Sequence, residues 1–215
     1  MTEASMTIKL VIFDVDGTLL QGYSWQYLHE ALGTWPEAKG FRDLFFANRI
    51  AYEDWARRDA LLWKNQPLTR IREIVTSMPY IEGVEPTIQT LKERGIKLYL
   101  LSAGVSFFAE RINKELGCHG YTANTLLSRN GYLTGEVEVE VPFNDKVKHL
   151  PAILQRFNLT SQECAAVGDD RSLIPLFKEV ALALAFNPTD KDVEDHANVT
   201  IRKKNLQEIL PHILK

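Results

Sequence analysis

The chain is short of several things, and each shortage excludes a class of protein. It has two cysteines, Cys118 and Cys164, and no C-x-x-C pair, so neither a disulfide-stapled scaffold nor a thiolate zinc site is expected. Its five histidines lie scattered along the sequence and offer no histidine-rich metal cluster. Neither sign of charge dominates: 25 basic and 28 acidic residues leave a net charge of −3. The one basic run, Arg202 to Lys204, reads as a solvated face, so nucleic acid is not an expected partner. No apolar run is long enough to cross a bilayer, and the N-terminus carries Glu3 without the apolar stretch of a secretory signal. The expectation is a cytoplasmic protein with no membrane partner. Internal repeats and low-complexity segments are missing too, as is any signature of a particular oligomeric state. What remains is 215 residues, 45% hydrophobic and 25% charged, enough for one domain with a large insertion or two small ones.

Against that background one stretch stands out, Lys9 to Leu20, with the sequence KLVIFDVDGTLL. Leu10 to Phe13 is an unbroken apolar run, as a strand buried on both faces requires. It ends abruptly at Asp14, with Asp16 two residues on and Gly17 next. The C-terminal edge of such a strand is where open α/β sheets bind ligands. Two close carboxylates repel unless a cation lies between them or one holds a proton. The economical reading is a Mg²⁺ site in which one carboxylate is also a nucleophile. An ordinary Asp/Gly surface turn is the alternative, and the buried strand in front of it weighs against that.

From Tyr23 to about Ile81 the pattern is helical. Ser24 is placed to cap a helix ending at Gly33, and Thr34 to Glu37 has capping-box spacing for a second. A third spans roughly Ala51 to Lys64, and Thr69 opens a fourth. All four tryptophans lie in this segment and read mostly as core. On the third helix Tyr52, Trp55, Ala56, Asp59, Leu62 and Trp63 share one face, so Asp59 interrupts an apolar stripe. It needs a basic partner such as Arg57, Arg58 or Arg70, or a cavity to face.

After Gly83 strands and helices alternate. Ile96 to Leu101 and Cys164 to Val167 read as buried strands, Ala181 to Ala185 and Asn198 to Ile201 as two more, and Asn130-Gly131 as a hairpin turn. Helices are expected from Pro86 to Arg94, from Ser106 to Leu116, from Asp145 to Phe157, and from Asn205 to Leu210, where Pro211 ends or kinks the last. The fold expectation is α/β: a doubly wound, mostly parallel, Rossmann-like sheet with a helical cap inserted after the first strand. Residues 1–20 and 83–215 would form the core and 21–82 the cap.

Four places carry residues suited to one site: Asp14/Asp16, Ser102, Lys146 and Asp169/Asp170. In order and spacing they resemble the haloacid dehalogenase-like superfamily. The signature D-x-D-G-T is Asp14 to Thr18, the second motif Leu101 to Gly104, the third Lys146 and the fourth Gly168-Asp169-Asp170. The cap position, Ala123 to Leu126 (A-N-x-L) and Thr134 to Glu138 (T-G-E-V-E) are similar to the phosphoserine phosphatase-like branch.

The resemblance implies a phosphatase of small phosphate esters. In it Asp14 is the nucleophile and Asp16 the acid and base. Mg²⁺ is held by Asp14, the Asp16 carbonyl and Asp169. Phosphate is held by Ser102, Ala103, Gly104 and Lys146, with Lys148 a weaker stand-in for the last. Thr18 and Asp170 would act from behind these groups, Thr18 by fixing the turn that aims Asp16. Three positions depart from the pattern. Leu173 stands where the family usually has a further carboxylate, Tyr23 where phosphoserine enzymes have a glutamate for the substrate amine, and Asp59 where they have an arginine for the serine carboxylate. The alternatives are therefore phosphoserine phosphatase itself and a binding module that has lost turnover.

Overall fold

A computed structural model describes residues 7–214; the stretch carrying Glu3 lies outside them. In chain order the elements are β1 (Leu10–Phe13), α1 (Ser24–Leu32), α2 (Trp35–Phe46), α3 (Tyr52–Leu62), α4 (Leu68–Ser77), α5 (Val84–Glu93), β2 (Lys97–Val105), α6 (Ser106–Leu116), β3 (Tyr121–Arg129) and β4 (Tyr132–Glu138). Then come α7 (Leu150–Phe157), β5 (Cys164–Gly168), α8 (Ile174–Phe177), β6 (Leu182–Phe186), α9 (Lys191–Asp195), β7 (Val199–Ile201) and α10 (Leu210–Ile213). Short 3₁₀ turns precede α7, β5, α8 and α10. Among the described residues no helix is long and apolar enough to cross a membrane.

The seven strands form one sheet in the order β4-β3-β2-β1-β5-β6-β7, parallel except for the β3–β4 hairpin. Successive β1 side chains point to opposite faces. Val11 and Phe13 join one apolar cluster and Leu10 and Ile12 another, so both faces of the sheet are covered. That explains the unbroken apolar run. Because β1 lies between β2 and β5, the chain leaves it in both directions across the sheet, which opens a crevice at its C-terminal end. Register then decides what meets there: Phe13 aligns with Leu100 of β2 and with Val167 of β5. The residues just after those positions converge on one edge.

Helices α1 to α4 lie between β1 and α5 and belong to the same apolar cluster as the sheet, through Trp25, Leu28, Trp63 and Ile71. They also dock on the hairpin: Asn65 N–H donates to the Leu133 carbonyl, Leu133 N–H to Gln66 and Leu68 N–H to Gly131. The hairpin turn is the expected two-residue type, with Asn130 and Gly131 both at positive φ (53° and 83°).

Several local expectations change. Strand β2 continues through Ser102 to Val105, and β3 begins at Tyr121 as a parallel partner of β2 before turning into the hairpin. Ser24 and Thr34 do not cap their helices: Ser24 is the first residue of α1, and both hydroxyls bond elsewhere. Pro211 sits in the first turn of α10, where its missing N–H costs nothing, and follows a 3₁₀ turn. The tryptophans divide: Trp25 and Trp63 are buried and stack on each other, while Trp35 and Trp55 are only partly buried and line a cavity.

Candidate active site

Asp14 leaves β1 into the crevice, 3% exposed. Its Oδ1 accepts the Val15 N–H at 2.7 Å, and its Oδ2 lies 2.6 Å from the Lys146 ammonium. Burial lifts the Asp14 carboxyl to about 6 against the pull of Lys146. Burial works against the Lys146 charge too, but Asp14, Asp170 and Asp169 outweigh it and hold the ammonium above its ordinary range. Lys148, the weaker candidate, is exposed and pairs with Asp145 at 2.5 Å.

Asp16 faces a different environment. Its Oδ2 accepts from the Ser24 hydroxyl at 2.7 Å, and its Oδ1 is buried with no hydrogen-bond partner among the described residues. Burial raises this carboxyl to about 7, with the Ser24 bonds pulling the other way. Ser24 is itself oriented, because its Oγ accepts the Val105 N–H at 3.1 Å. Gly17 turns the chain at φ +71°, and a Cβ there would fall 2.2 Å from Asp169 Oδ2. Only glycine leaves that carboxylate its place.

Carboxylate oxygens of Asp14, Asp169 and Asp170 lie within 4.8 Å of one another. Burial raises Asp169 well above the carboxylate range, and Asp170 and Asp14 add to the effect. An all-oxygen, electrostatically frustrated donor set of this kind fits a hard divalent cation. The Thr18 hydroxyl donates to Asp169 Oδ1 at 3.3 Å, and its N–H to the Val15 carbonyl at 3.4 Å within the turn that carries Asp16. Asp170 Oδ1 accepts from the Ser172 N–H and hydroxyl. Leu173 is not at the site at all. It is fully buried in the cluster with Ile12 and Phe177, and packs so closely on Gly168 that a Cβ there would lie 2.1 Å away.

Ser102 is buried beside them, its Oγ accepting the Gly104 N–H at 2.9 Å. That leaves the hydroxyl proton for a ligand oxygen. A Cβ on Gly104 would lie 2.3 Å from Ser24 Oγ and 2.6 Å from Asp16 Oδ2. The Ala103 carbonyl is pinned by Trp25 Nε1 at 3.1 Å, Asn124 Nδ2 at 2.7 Å and the Tyr52 hydroxyl. Asn124, fully buried, also accepts the N–H groups of Glu140 and Val141 through its Oδ1. It thereby ties the Ser102 turn to the segment leading to Lys146.

A cavity of about 750 Å³ opens over these groups and reaches Tyr23 and Asp59. Tyr23 is half-exposed, and partial burial and the neighbouring carboxylates raise its hydroxyl pKa. Asp59 is 1% exposed and pairs with none of the expected arginines. Arg57 meets Asp54, Arg70 meets Glu73, and Arg58 lies over Phe41. Its neighbour is His29 of α1, with Nε2 3.3 Å from Asp59 Oδ2. The roles of Ser24 and His29 at the site are not legible in the sequence. The Ala-Asn-x-Leu segment did flag Asn124, but only as family likeness. For Ser24 and His29 helix spacing gives no hint of their partners.

A family model described as haloacid dehalogenase-like hydrolase matches residues 8–180. The chain is 30% identical over 206 residues to a phosphoserine phosphatase of Methanocaldococcus jannaschii, covering 95% of this chain and 97% of that one. It is 32% identical to a phosphoserine phosphatase of Wolinella succinogenes, covering 96% and 100%. A solved phospho-aspartyl intermediate analogue of a phosphoserine phosphatase superposes with a TM-score of 0.85 at 30% identity, covering 96% of this chain and 99% of that one. With a family model matched over most of its length and relatives alike in sequence and fold, the chain belongs to the haloacid dehalogenase-like hydrolases, as a phosphatase of that family.

Proposed function

We propose that the chain hydrolyses a small phosphate monoester in two steps, with Asp14 as nucleophile and Asp16 as acid and then base. The observation that carries this is the contrast between two carboxylates on one turn. Asp14 is held by an ammonium and a backbone N–H, and Asp16 is held by a hydroxyl with its carboxyl near neutrality. Paired acids pushed into different roles by their surroundings are what general acid–base chemistry needs. An Asp14 oxygen attacks phosphorus, the ester P–O bond breaks, and Asp16 gives its proton to the leaving oxygen. Asp16 then takes a proton from water, whose oxygen attacks phosphorus and releases Asp14 and phosphate.

Asp14, Asp169 and the Asp16 carbonyl would hold Mg²⁺, with Asp170 beside them. When bound, the cation supplies charge that offsets repulsion between the carboxylate and a phosphate dianion. The Ser102 hydroxyl and Lys146 would gather the phosphate oxygens. The helices of residues 21–82 would cover the site as a cap that excludes water. Asp14→Asn should abolish phosphate release with Mg²⁺ while leaving the fold intact. Beryllofluoride, a mimic of phosphate on a carboxylate, should bind the parent protein and not the variant. More than a trace of turnover in the variant would refute the covalent route.

Phosphoserine is the second reading for the substrate, and the names of the relatives favour it. The chain's own residues favour it less. A serine carboxylate needs a cation in the cap, and the buried acid there is Asp59. Relative kcat/KM on O-phosphoserine and on esters lacking its carboxylate decides between them. The turnover-free module was motivated by Leu173, whose burial against Gly168 is ordinary core packing.

A further inference from the structure

Three buried polar atoms of residues lining the cavity lack an aligned hydrogen-bond partner among the described residues: Asp59 Oδ1, His29 Nε2 and Trp55 Nε1. The His29 ring stands 3.3 Å from the other Asp59 oxygen but without hydrogen-bond alignment. His29 and Trp55 both act on the Asp59 carboxyl, yet neither makes an aligned hydrogen bond to it, and a buried carboxylate so poorly matched beside a cavity has room for a further donor.

His29 Nδ1 lies 3.1 Å from the Trp63 indole N–H, which can only donate, and 2.7 Å from the Thr34 hydroxyl. The Trp63 N–H lies 3.3 Å from the Thr34 hydroxyl as well, so the three groups hold the His29 ring with its Nε2 edge towards Asp59. Burial raises the Asp59 carboxyl above its ordinary range, with His29 and Trp55 pulling the other way, so a cation brought against it favours the charged form. Phe45, Tyr52, Trp55 and Phe143 pack ring against ring alongside, with Phe45 stacked on Trp55 at 4.9 Å. Aromatic faces with a buried carboxylate attract organic cations and disfavour anions. The cavity already shows this chemistry once: the Arg42 guanidinium lies 5.1 Å over the Trp35 ring. That guanidinium also bonds Asp43, at 2.9 and 3.2 Å, so its charge is matched locally.

We propose that the substrate is the phosphate ester of an amino alcohol without a carboxylate, whose ammonium is received by Asp59 against the Tyr52, Trp55 and Phe45 wall. This rests on the phosphatase reading and adds the substrate class. A neutral hydroxyl in that place would bring Asp59 no counter-charge. A serine carboxylate would set a second anion beside it.

Three probes isolate the groups concerned. O-phosphoethanolamine carries the ammonium, 2-hydroxyethyl phosphate replaces it with a hydroxyl of similar size, and O-phosphoserine adds a carboxylate. With Mg²⁺, kcat/KM should favour O-phosphoethanolamine over each of the others by at least about tenfold. In Asp59→Asn the ratio of O-phosphoethanolamine to 2-hydroxyethyl phosphate should collapse towards one; being internal to one protein, it is insensitive to lost stability. Equal or reversed preference in the parent chain overturns the proposal, even if the variant fails to fold. So does an intact ratio in Asp59→Asn. Failure of the phosphatase reading looks different: no phosphate release from any of the three or from an aryl phosphate. In that case calorimetric binding of O-phosphoethanolamine against 2-hydroxyethyl phosphate still decides the ammonium claim.

Discussion

Replacing Ser24 with alanine removes one oxygen that serves two partners. It donates to Asp16 Oδ2 at 2.7 Å and accepts the Val105 N–H at 3.1 Å, with Ser24 only 1% exposed. The stranded N–H is a stability effect, about 1–3 kcal/mol for a buried unsatisfied donor. At about 2–4 °C per kcal/mol for a chain of this size, the melting temperature should fall by several degrees. The lost bond to Asp16 is a catalytic effect. A hydrogen bond to an ionised group contributes about 1.5–3 kcal/mol, which corresponds to about 10–100-fold in rate if it aims the acid only during reaction. Leaving groups separate the two effects. An alkyl alkoxide needs the proton from Asp16, whereas a nitrophenolate departs with little help, and kcat/KM reports only the first half-reaction when phosphorylation is irreversible. The alkyl-to-aryl ratio of kcat/KM should therefore fall at least about tenfold in Ser24→Ala. A lower melting temperature with an unchanged ratio would show that Ser24 merely ties α1 to the end of β2, and the reasoning would fail.

Two further outcomes follow from burial. Leu173→Asp should not improve activity. It places a carboxylate in the apolar cluster beneath Gly168, and thermal melts should show a loss of roughly 3 kcal/mol or more. Asp14 and Asp16 have folded values near 6 and 7, above the ordinary 3.8. The folded chain thus holds protons that the unfolded chain releases, and this stabilisation is complete below about 4 and lost as pH rises to about 7. Metal-free melting temperatures should fall across that window, and added Mg²⁺ should raise them more at pH 7.5 than at pH 4.5. A metal-free melting temperature that rises between pH 5 and 7 would contradict the burial argument.

Much of the site was legible because its key groups are fixed by backbone position. Asp14 and Asp169 each follow a buried strand, Ser102 follows the buried apolar run of β2, and parallel register aligns these positions. Strand burial shows in an unbroken apolar run, so the acids at the ends could be read directly. Side-chain pairing was not legible in that way. Asp59 was expected beside an arginine of its own segment or open to the cavity. The structure gives it His29 from another helix and the cavity as well. Ser24 and Thr34 had the residue types and spacing of helix caps, yet their hydroxyls serve Asp16 and His29. A cap bond is local and modest, and a buried carboxylate or imidazole without a partner costs more.

The sequence by itself determined the parallel α/β sheet, the helical segment after β1, the hairpin at Asn130-Gly131 and the acidic strand ends. Each of these is set by local periodicity, turn chemistry and burial of contiguous residues. The tertiary structure alone decided three things: that Leu173 packs in the apolar cluster against Gly168, that Ser24 steadies Asp16, and that Asp59 and His29 line an aromatic cavity. These depend on which side chains from distant segments meet once the helices dock on the sheet and hairpin, and chain spacing carries no record of that meeting.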